Sequence, residues 1–384
     1  MAVLAGCATN RPIEVQRLDA RPGALFSAAR IRSYPAWTLR LGLWFAGAPA
    51  GLEVRSSMTL YRIGYWTRDP ADQPAQATAL VGVPAVERVR GVVAYMHGTR
   101  TDRRLAPSVP TLEGKLVGAT FAGAQYLLVA PDYLGFGTRP GPHPFLHANS
   151  TAETVIDALR AAHQLADLLG VAWPEKLFLL GASQGGHAAL ATHRALEREP
   201  VADLVVRATA AAAGPYDLAA ISFPVALRGG ANSHRVYLGY LVDTYARIYG
   251  RSRSSVLRSP YDERVEVLFD GYHDDDAVNA GLPDRPRLMF RDDFLAAYDA
   301  GRGSWLRDAL AANSVHDWVP RSPLRLYYGT NDQDVPPREA IETARRMSAL
   351  GAPVEAVCVG ALEHEESALS ALGPIRTWFD ALSR

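Results

Sequence analysis

Apolar residues follow two alternating patterns along this chain, short continuous runs and longer stretches with a helical period. Continuous runs are typical of strands buried on both faces, and apolar residues three or four positions apart are typical of helices packed on a core. The runs predict strands at 91–96, 126–130, 177–180, 205–212, 324–328 and 354–359. The periodic stretches predict helices at 151–169, 184–196, 337–350 and 366–381. This alternation predicts an α/β fold with a mostly parallel central sheet and helices on both faces.

The pattern changes before and within this region. Residues 59–67 and 77–83 alternate around a turn-rich link and predict an antiparallel hairpin. Residues 8–57 carry scattered prolines and predict an irregular arm with a short helix at 37–45.

About 110 residues separate two of the predicted strands, far more than an ordinary connection. This insertion is rich in aromatic residues and has helical periods at 235–249 and 291–298. We expect it to form a mainly helical cap over the core. The expected parts are an arm (1–57), an α/β core (58–217 and 320–384) and the cap (218–319).

Composition narrows the class of partner. The 40 basic and 40 acidic residues cancel, which gives no reason to expect a nucleic acid partner. No uncharged apolar run approaches the roughly 18 residues of a membrane-spanning helix. The oligomeric state stays open.

The two cysteines cannot form a disulfide framework. Cys358 lies in a predicted strand and is expected to be a small core residue. Cys7 ends a Leu-Ala-Gly-Cys stretch that resembles a bacterial lipobox, although only three residues precede it and a signal peptide needs more. We therefore expect a lipoprotein of the cell envelope, membrane-anchored through Cys7, or a secreted protein, if translation starts upstream of Met1, and a cytoplasmic protein otherwise.

The most informative motif is Gly-Ala-Ser-Gln-Gly at residues 181–185, between a predicted strand and a predicted helix. Gly-x-Ser-x-Gly in this position is the nucleophile-elbow pattern, in which a tight turn lifts the serine hydroxyl above the carboxyl end of the sheet. The alternative is a Gly-rich turn with an idle serine. The strand and helix around the motif favour Ser183 as a nucleophile.

A serine nucleophile needs a histidine base and a carboxylate that orients it, usually in the chain order Ser, Asp or Glu, His. His187 and His193 lie on the helix after the elbow and are expected to pack against the sheet. His364 follows the last predicted strand, where a loop can return it to the serine, so we expect it to be the base. Its alternative is a solvated loop histidine.

The expected acid lies in the turn after the strand at 324–328. Asp332 and Asp334 both qualify, and the Gly-x-x-Asp-x-x-Val-Pro spacing favours Asp332. The idle aspartate would cap backbone amides. An Asp-x-Asp pair could also bind a metal, but no further ligand has suitable spacing, so no metal is expected.

The oxyanion of an acyl-transfer reaction needs backbone N–H donors. The N–H of Gln184, directly after the serine, is the first candidate. The second should come from the loop after residue 96, where we favour Thr99 over the alternative, Gly98.

Several spaced stretches together resemble the α/β-hydrolase superfamily and, within it, the secretory lipase family of fungal and bacterial esterases. They are residues 95–99 (Tyr-Met-His-Gly-Thr), 130–138 (Ala-Pro-Asp-Tyr-Leu-Gly-Phe-Gly-Thr), 143–146 (His-Pro-Phe-Leu), 181–187 (Gly-Ala-Ser-Gln-Gly-Gly-His), 214–217 (Gly-Pro-Tyr-Asp) and 329–336. The resemblance implies an α/β-hydrolase fold with a helical cap, ester hydrolysis without a cofactor, and a triad of Ser183, Asp332 and His364. It also implies that Thr99 supplies the second oxyanion amide.

Three functions are compatible with these motifs. We expect a serine hydrolase, an esterase or a lipase of lipid catabolism, that cleaves carboxylic esters through an acyl-enzyme on Ser183. The expected partner is therefore a small-molecule or lipid ester. The first alternative is an amide or peptide hydrolase on the same fold, and the second is a non-catalytic binding protein. The natural ester and its chain length depend on the cap, which the motifs do not specify.

Overall fold

A computed structural model describes residues 11–13, 15, 20–47, 52–109, 111–202, 204–229, 231 and 233–384. Cys7, on which the lipoprotein expectation rests, lies outside the described residues. Within them, no helix is long and apolar enough to cross a membrane.

The centre of the molecule is one mixed sheet, in which the described residues form ten strands. Their order across the sheet is β1-β2-β3-β4-β6-β5-β7-β8-β9-β10. The pairs from β1 to β6 are antiparallel, and those from β6 to β10 are parallel. The strands are β1 (Arg11–Ile13), β2 (Leu25–Tyr34), β3 (Met58–Arg68), β4 (Pro74–Pro84), β5 (Val92–Met96), β6 (Leu127–Pro131), β7 (Lys176–Ala182), β8 (Val205–Ala212), β9 (Leu324–Tyr328) and β10 (Val354–Cys358).

Helices cover the sheet and fill the insertion. The described residues contain twelve α-helices: α1 (Ala36–Phe45), α2 (Leu112–Phe121), α3 (Ala148–Leu168), α4 (Gln184–Arg198), α5 (Phe223–Arg228), α6 (Ser233–Ile248), α7 (Tyr261–Leu268), α8 (Asp275–Gly281), α9 (Asp292–Asp299), α10 (Trp305–Asn313), α11 (Arg338–Ala349) and α12 (His364–Leu382).

Successive residues of the central strands pack into two different cores. Leu177 and Leu179 of β7 join a cluster with residues of α3 and α4. Phe178 and Leu180, between them, join a second cluster with residues of α2 and α12. Because strand side chains alternate between faces, the two clusters lie on opposite faces of the sheet. The predicted fold class, a mostly parallel sheet with helices on both faces, is confirmed.

The residues before β3 differ from the predicted irregular arm. Residues 25–34 form β2, which pairs antiparallel with β3 through two register irregularities. The short helix predicted at 37–45 is confirmed as α1, and the antiparallel hairpin is confirmed as β3 and β4.

The prediction for Cys358 is wrong. Its side chain is exposed, because β10 is the last strand of the sheet and has no buried residue. A strand at a sheet edge has a neighbour on one side only, so an apolar sequence there does not ensure burial.

The insertion between β8 and β9 is helical, from α5 to α10, and its side chains form an apolar cluster of their own. Phe145 and Leu146, from the loop before α3, belong to the same cluster. Side chains of α5 and α6 also border a cavity that reaches Ser183. The insertion thus forms a wall of the space above the elbow.

Candidate active site

The turn at Ser183 has a backbone conformation that few residues adopt. Ser183 has φ 55° and ψ −122°, between the last residue of β7 and the first of α4. Its N–H donates to the Ala212 carbonyl of β8 at 2.9 Å, which ties the turn to the sheet. A positive φ is costly for a non-glycine residue and persists where the surroundings enforce it.

The two glycines of the motif are required by space. A Cβ atom on Gly181 would collide with the backbone carbonyl of Gly185, and one on Gly185 would collide with the Met96 carbonyl oxygen. Both obstacles are backbone atoms, which cannot rotate away. The Gly-x-Ser-x-Gly pattern therefore follows from close packing of β7, α4 and the end of β5.

Ser183, His364 and Asp332 form a continuous hydrogen-bonded chain. His364 Nε2 lies 2.9 Å from Ser183 Oγ, and His364 Nδ1 lies 2.8 Å from Asp332 Oδ2. The other carboxylate oxygen of Asp332 accepts from the N–H groups of Asp334 and Val335 at 3.0 and 2.9 Å. With Asp332 accepting, Nδ1 carries the ring proton and Nε2 is free to accept the serine proton.

Asp334, the alternative acid, contacts a different partner. Its carboxylate accepts a hydrogen bond from the hydroxyl of Ser233, at the start of α6. Asp332 is 3% exposed and is the aspartate that contacts His364.

The charge balance around His364 favours its protonated form. Burial alone lowers the pKa of the imidazole, but the hydrogen bond and charge of Asp332 oppose it. The charges of Asp334 and Glu365 add to this, so the pKa of His364 is raised above its usual value of 6.5. A raised pKa makes the ring a stronger base toward the Ser183 hydroxyl.

Thr99 and Gln184, predicted as oxyanion donors, both border the same cavity as Ser183. Gln184 is the first residue of α4, so its N–H has no partner within the helix. Among the described residues, the N–H groups of Thr99 and Gln184 have no hydrogen-bond acceptor. Gly98 is also close, since a Cβ atom on it would lie 3.6 Å from Ser183 Cβ.

His143 is a residue of this region to which the sequence assigned no role. It is buried, its Nδ1 lies 3.0 Å from the Leu134 carbonyl oxygen, and its Nε2 lies 2.7 Å from the side-chain nitrogen of Gln184. Burial lowers the pKa of His143 to about 3, so the ring is neutral. Nδ1 must then donate to Leu134, and Nε2 accepts from Gln184. His143 thereby holds the side chain of a candidate oxyanion residue.

His143 also links this residue to the insertion. Its carbonyl oxygen accepts from Thr244 and Arg247 of α6, at 3.4 and 3.3 Å. The only sequence signal was its place in the His-Pro-Phe-Leu stretch, which specified no contact.

The other histidines near the elbow have different partners. His187 Nε2 lies 2.7 Å from the Asn313 carbonyl oxygen, and His193 Nε2 lies 3.0 Å from Glu197. His97 is buried and lies within 3.2 Å of two backbone carbonyl oxygens, those of Gly98 and Asp132. Each of these rings thus hydrogen-bonds to a partner other than Ser183.

Two cavities meet at Ser183. The smaller, of about 40 Å³, is walled mainly by apolar side chains of the insertion. The larger, of about 600 Å³, is bordered by His364 and by residues of α2 and α12. Across the described part of the chain, no group of three or more His, Cys, Asp or Glu side chains is placed to hold a metal ion.

Solved structures of similar fold include hydrolases, esterases and lipases. A provisionally named hydrolase from Legionella pneumophila is 27% identical over 94% of this chain and 98% of its own, with a TM-score of 0.87. The rice cell wall degrading esterase LipA from Xanthomonas oryzae, in a ligand-bound form, is 25% identical over 95% and 100%, with a TM-score of 0.86. Candida antarctica lipase A in its closed state is 15% identical over 94% and 83%, with a TM-score of 0.69, a likeness of fold alone.

No protein-family model and no curated protein sequence matches this chain. The similarity to the Legionella hydrolase and the Xanthomonas esterase is thus visible in the structure, where it covers at least 94% of each chain compared. With the sheet order, the strained serine turn and these structural relatives, the resemblance seen in the sequence is confirmed: the chain belongs to the α/β-hydrolase superfamily and is similar to its esterases and lipases.

Proposed function

We propose that this protein is a serine hydrolase that cleaves carboxylic esters, with Ser183 as nucleophile, His364 as base and Asp332 as the acid that orients it. The observation that carries the proposal is the hydrogen-bonded chain from Ser183 Oγ through His364 to Asp332. The structural likeness to an esterase at 25% identity supports the same class of reaction.

The proposed reaction has two halves. His364 Nε2 takes the Ser183 proton as Oγ attacks the ester carbonyl, and the N–H groups of Thr99 and Gln184 hold the oxyanion. The imidazolium then gives its proton to the leaving alcohol, and the acyl group stays on Ser183. Water attacks this acyl-enzyme with His364 again as base, and the acid product leaves.

The test is turnover of short p-nitrophenyl esters by the wild type and by Ser183→Ala. We expect the variant to lose at least about 10³-fold in kcat, because the nucleophile is removed. Ser254→Ala is a matched control, since Ser254 is exposed and its hydroxyl pairs with that of Ser252. Near-wild-type activity of Ser183→Ala would refute the mechanism. Rapid cleavage of anilides with no cleavage of esters would favour an amide hydrolase.

A further inference from the structure

The two cavities at Ser183 differ greatly in size. Both are bordered by Ser183, Thr99 and Tyr237, so they meet at the same serine. The smaller has about 40 Å³ and the larger about 600 Å³. An ester bound at Ser183 can place one of its two halves in each.

His364 determines which half goes where, if the proposed reaction holds. The leaving alcohol must lie within reach of His364 Nε2, because that atom protonates it. His364 borders the larger cavity and is absent from the wall of the smaller one. The alcohol half therefore lies in the larger cavity, and the acyl half in the smaller.

We infer that the protein selects esters with a short acyl chain and a bulky alcohol. The smaller cavity has about 40 Å³ of space and the larger about 600 Å³, so the acyl half has far less room than the alcohol half.

The walls of the smaller cavity are fixed by packing. Phe145, Phe223, Leu238 and Leu241 border it, and each is at most 4% exposed. All four belong to the apolar cluster of the insertion. Side chains in such a close-packed cluster cannot give way without moving their neighbours, so these walls resist enlargement of the cavity.

The larger cavity has one apolar and one polar side. Leu112 and Leu369 are 68% and 45% exposed at its border. On the polar side, Arg100 pairs with Glu113 at 2.8 Å. An alcohol with both apolar and hydroxyl-bearing parts fits these walls, which adds amphiphilic character to the inferred substrate class.

The first measurement is kcat/KM for p-nitrophenyl esters from acetate to laurate, with the alcohol held constant. We expect a fall of at least tenfold between butyrate and octanoate. A second series, acetates of increasingly bulky alcohols, is expected to vary by less than tenfold. Equal kcat/KM values for acetate and laurate would overturn the inference. Because such a protein still hydrolyses esters, that result would leave the proposed function standing.

The second measurement enlarges the cavity. Leu241→Ala should raise the octanoate-to-acetate ratio of kcat/KM at least tenfold. Leu310→Ala is the matched control, since Leu310 belongs to the same cluster, is 1% exposed and does not border the cavity. We expect its ratio to match the wild type, and an equal rise in both variants would contradict the inference. If Leu241→Ala does not fold, the wild-type chain-length profile alone decides.

Inactivity on every ester, with no reaction between Ser183 and a fluorophosphonate, would instead refute the proposed function.

Discussion

Replacing Asp332 with asparagine tests how the histidine is held. The Oδ1 atom of Asp332 accepts two backbone N–H bonds, from Asp334 and Val335, at 3.0 and 2.9 Å. In Asp332→Asn, the amide oxygen must keep this place, because the amide nitrogen cannot accept hydrogen bonds. The nitrogen then faces His364 Nδ1, where the carboxylate oxygen accepts at 2.8 Å.

This forced orientation reverses the proton positions on the ring. An amide that donates to Nδ1 makes Nδ1 the acceptor, so the proton moves to Nε2, which faces Ser183. His364 then cannot take the serine proton, and the charge that would stabilise the imidazolium is lost. In a serine protease triad the same change lowers kcat about 10⁴-fold, equivalent to about 5 kcal/mol in activation free energy. We expect a similar loss here.

The assay is kcat for p-nitrophenyl acetate at pH 8, with thermal unfolding as the check on folding. Asp334→Asn is the matched control, because Asp334 contacts Ser233 and not His364. We expect it to lower kcat by at most about tenfold. A folded Asp332→Asn variant within tenfold of wild type would refute this reasoning, as would a larger loss in Asp334→Asn.

Two further predictions concern pH. Because neutral His364 is the proposed base and its pKa is raised above 6.5, kcat/KM should fall as the pH drops through that raised pKa. Glu365→Gln removes one of the charges that raise this pKa, so the fall in kcat/KM should move to lower pH. A fall at the same pH in variant and wild type would show that Glu365 does not affect the pKa of His364. Burial raises the pKa of Glu339 from 4.5 to about 7, so its contribution to stability is full below 4.5 and is lost as pH rises through 7. In Glu339→Gln, the amide can keep the bonds to the N–H groups of Tyr216 and Asp217 and to Ser222. Between pH 4.5 and 8, the free energy of unfolding in urea should therefore fall by about 3 kcal/mol less in the variant than in the wild type. Equal declines in variant and wild type would contradict this.

The predictable parts of this fold are those encoded locally. β7 and α4 are separated by the single residue Ser183, and apolar runs, helical periods and the glycine pattern all lie within that short stretch. The strand predicted at 324–328 matches β9 in both bounds. Where a strand or helix is buried by neighbours close in sequence, the period of its apolar residues is enough to predict it.

Elements that depend on distant contacts were missed or misjudged. β2 carries the polar residues Arg30 and Arg32 and pairs with β3 through irregular register, so its alternation is broken. α2 was not predicted, and it contains Gly118, a poor helix former. A Cβ atom there would lie 3.0 Å from Met58 Cε, so packing against β3 explains the glycine.

The candidate site also contains residues that the local sequence indicates and residues that depend on distant contacts. Motif spacing was enough to name Ser183, His364 and Asp332, which the structure brings into contact. His143 was missed because its contacts, with the Gln184 side chain and with α6, join segments far apart in the chain. Chain order cannot indicate a buried side chain that acts through another residue.

The central claim is that Ser183 is an activated nucleophile, and covalent labelling tests it most directly. The folded wild type is treated with a fluorophosphonate, and peptide mass spectrometry locates the adduct. We predict one adduct per chain, on Ser183, with ester hydrolysis lost in proportion to labelling. Protein that stays unlabelled and keeps its ester hydrolysis, or an adduct elsewhere that abolishes activity, would contradict the claim.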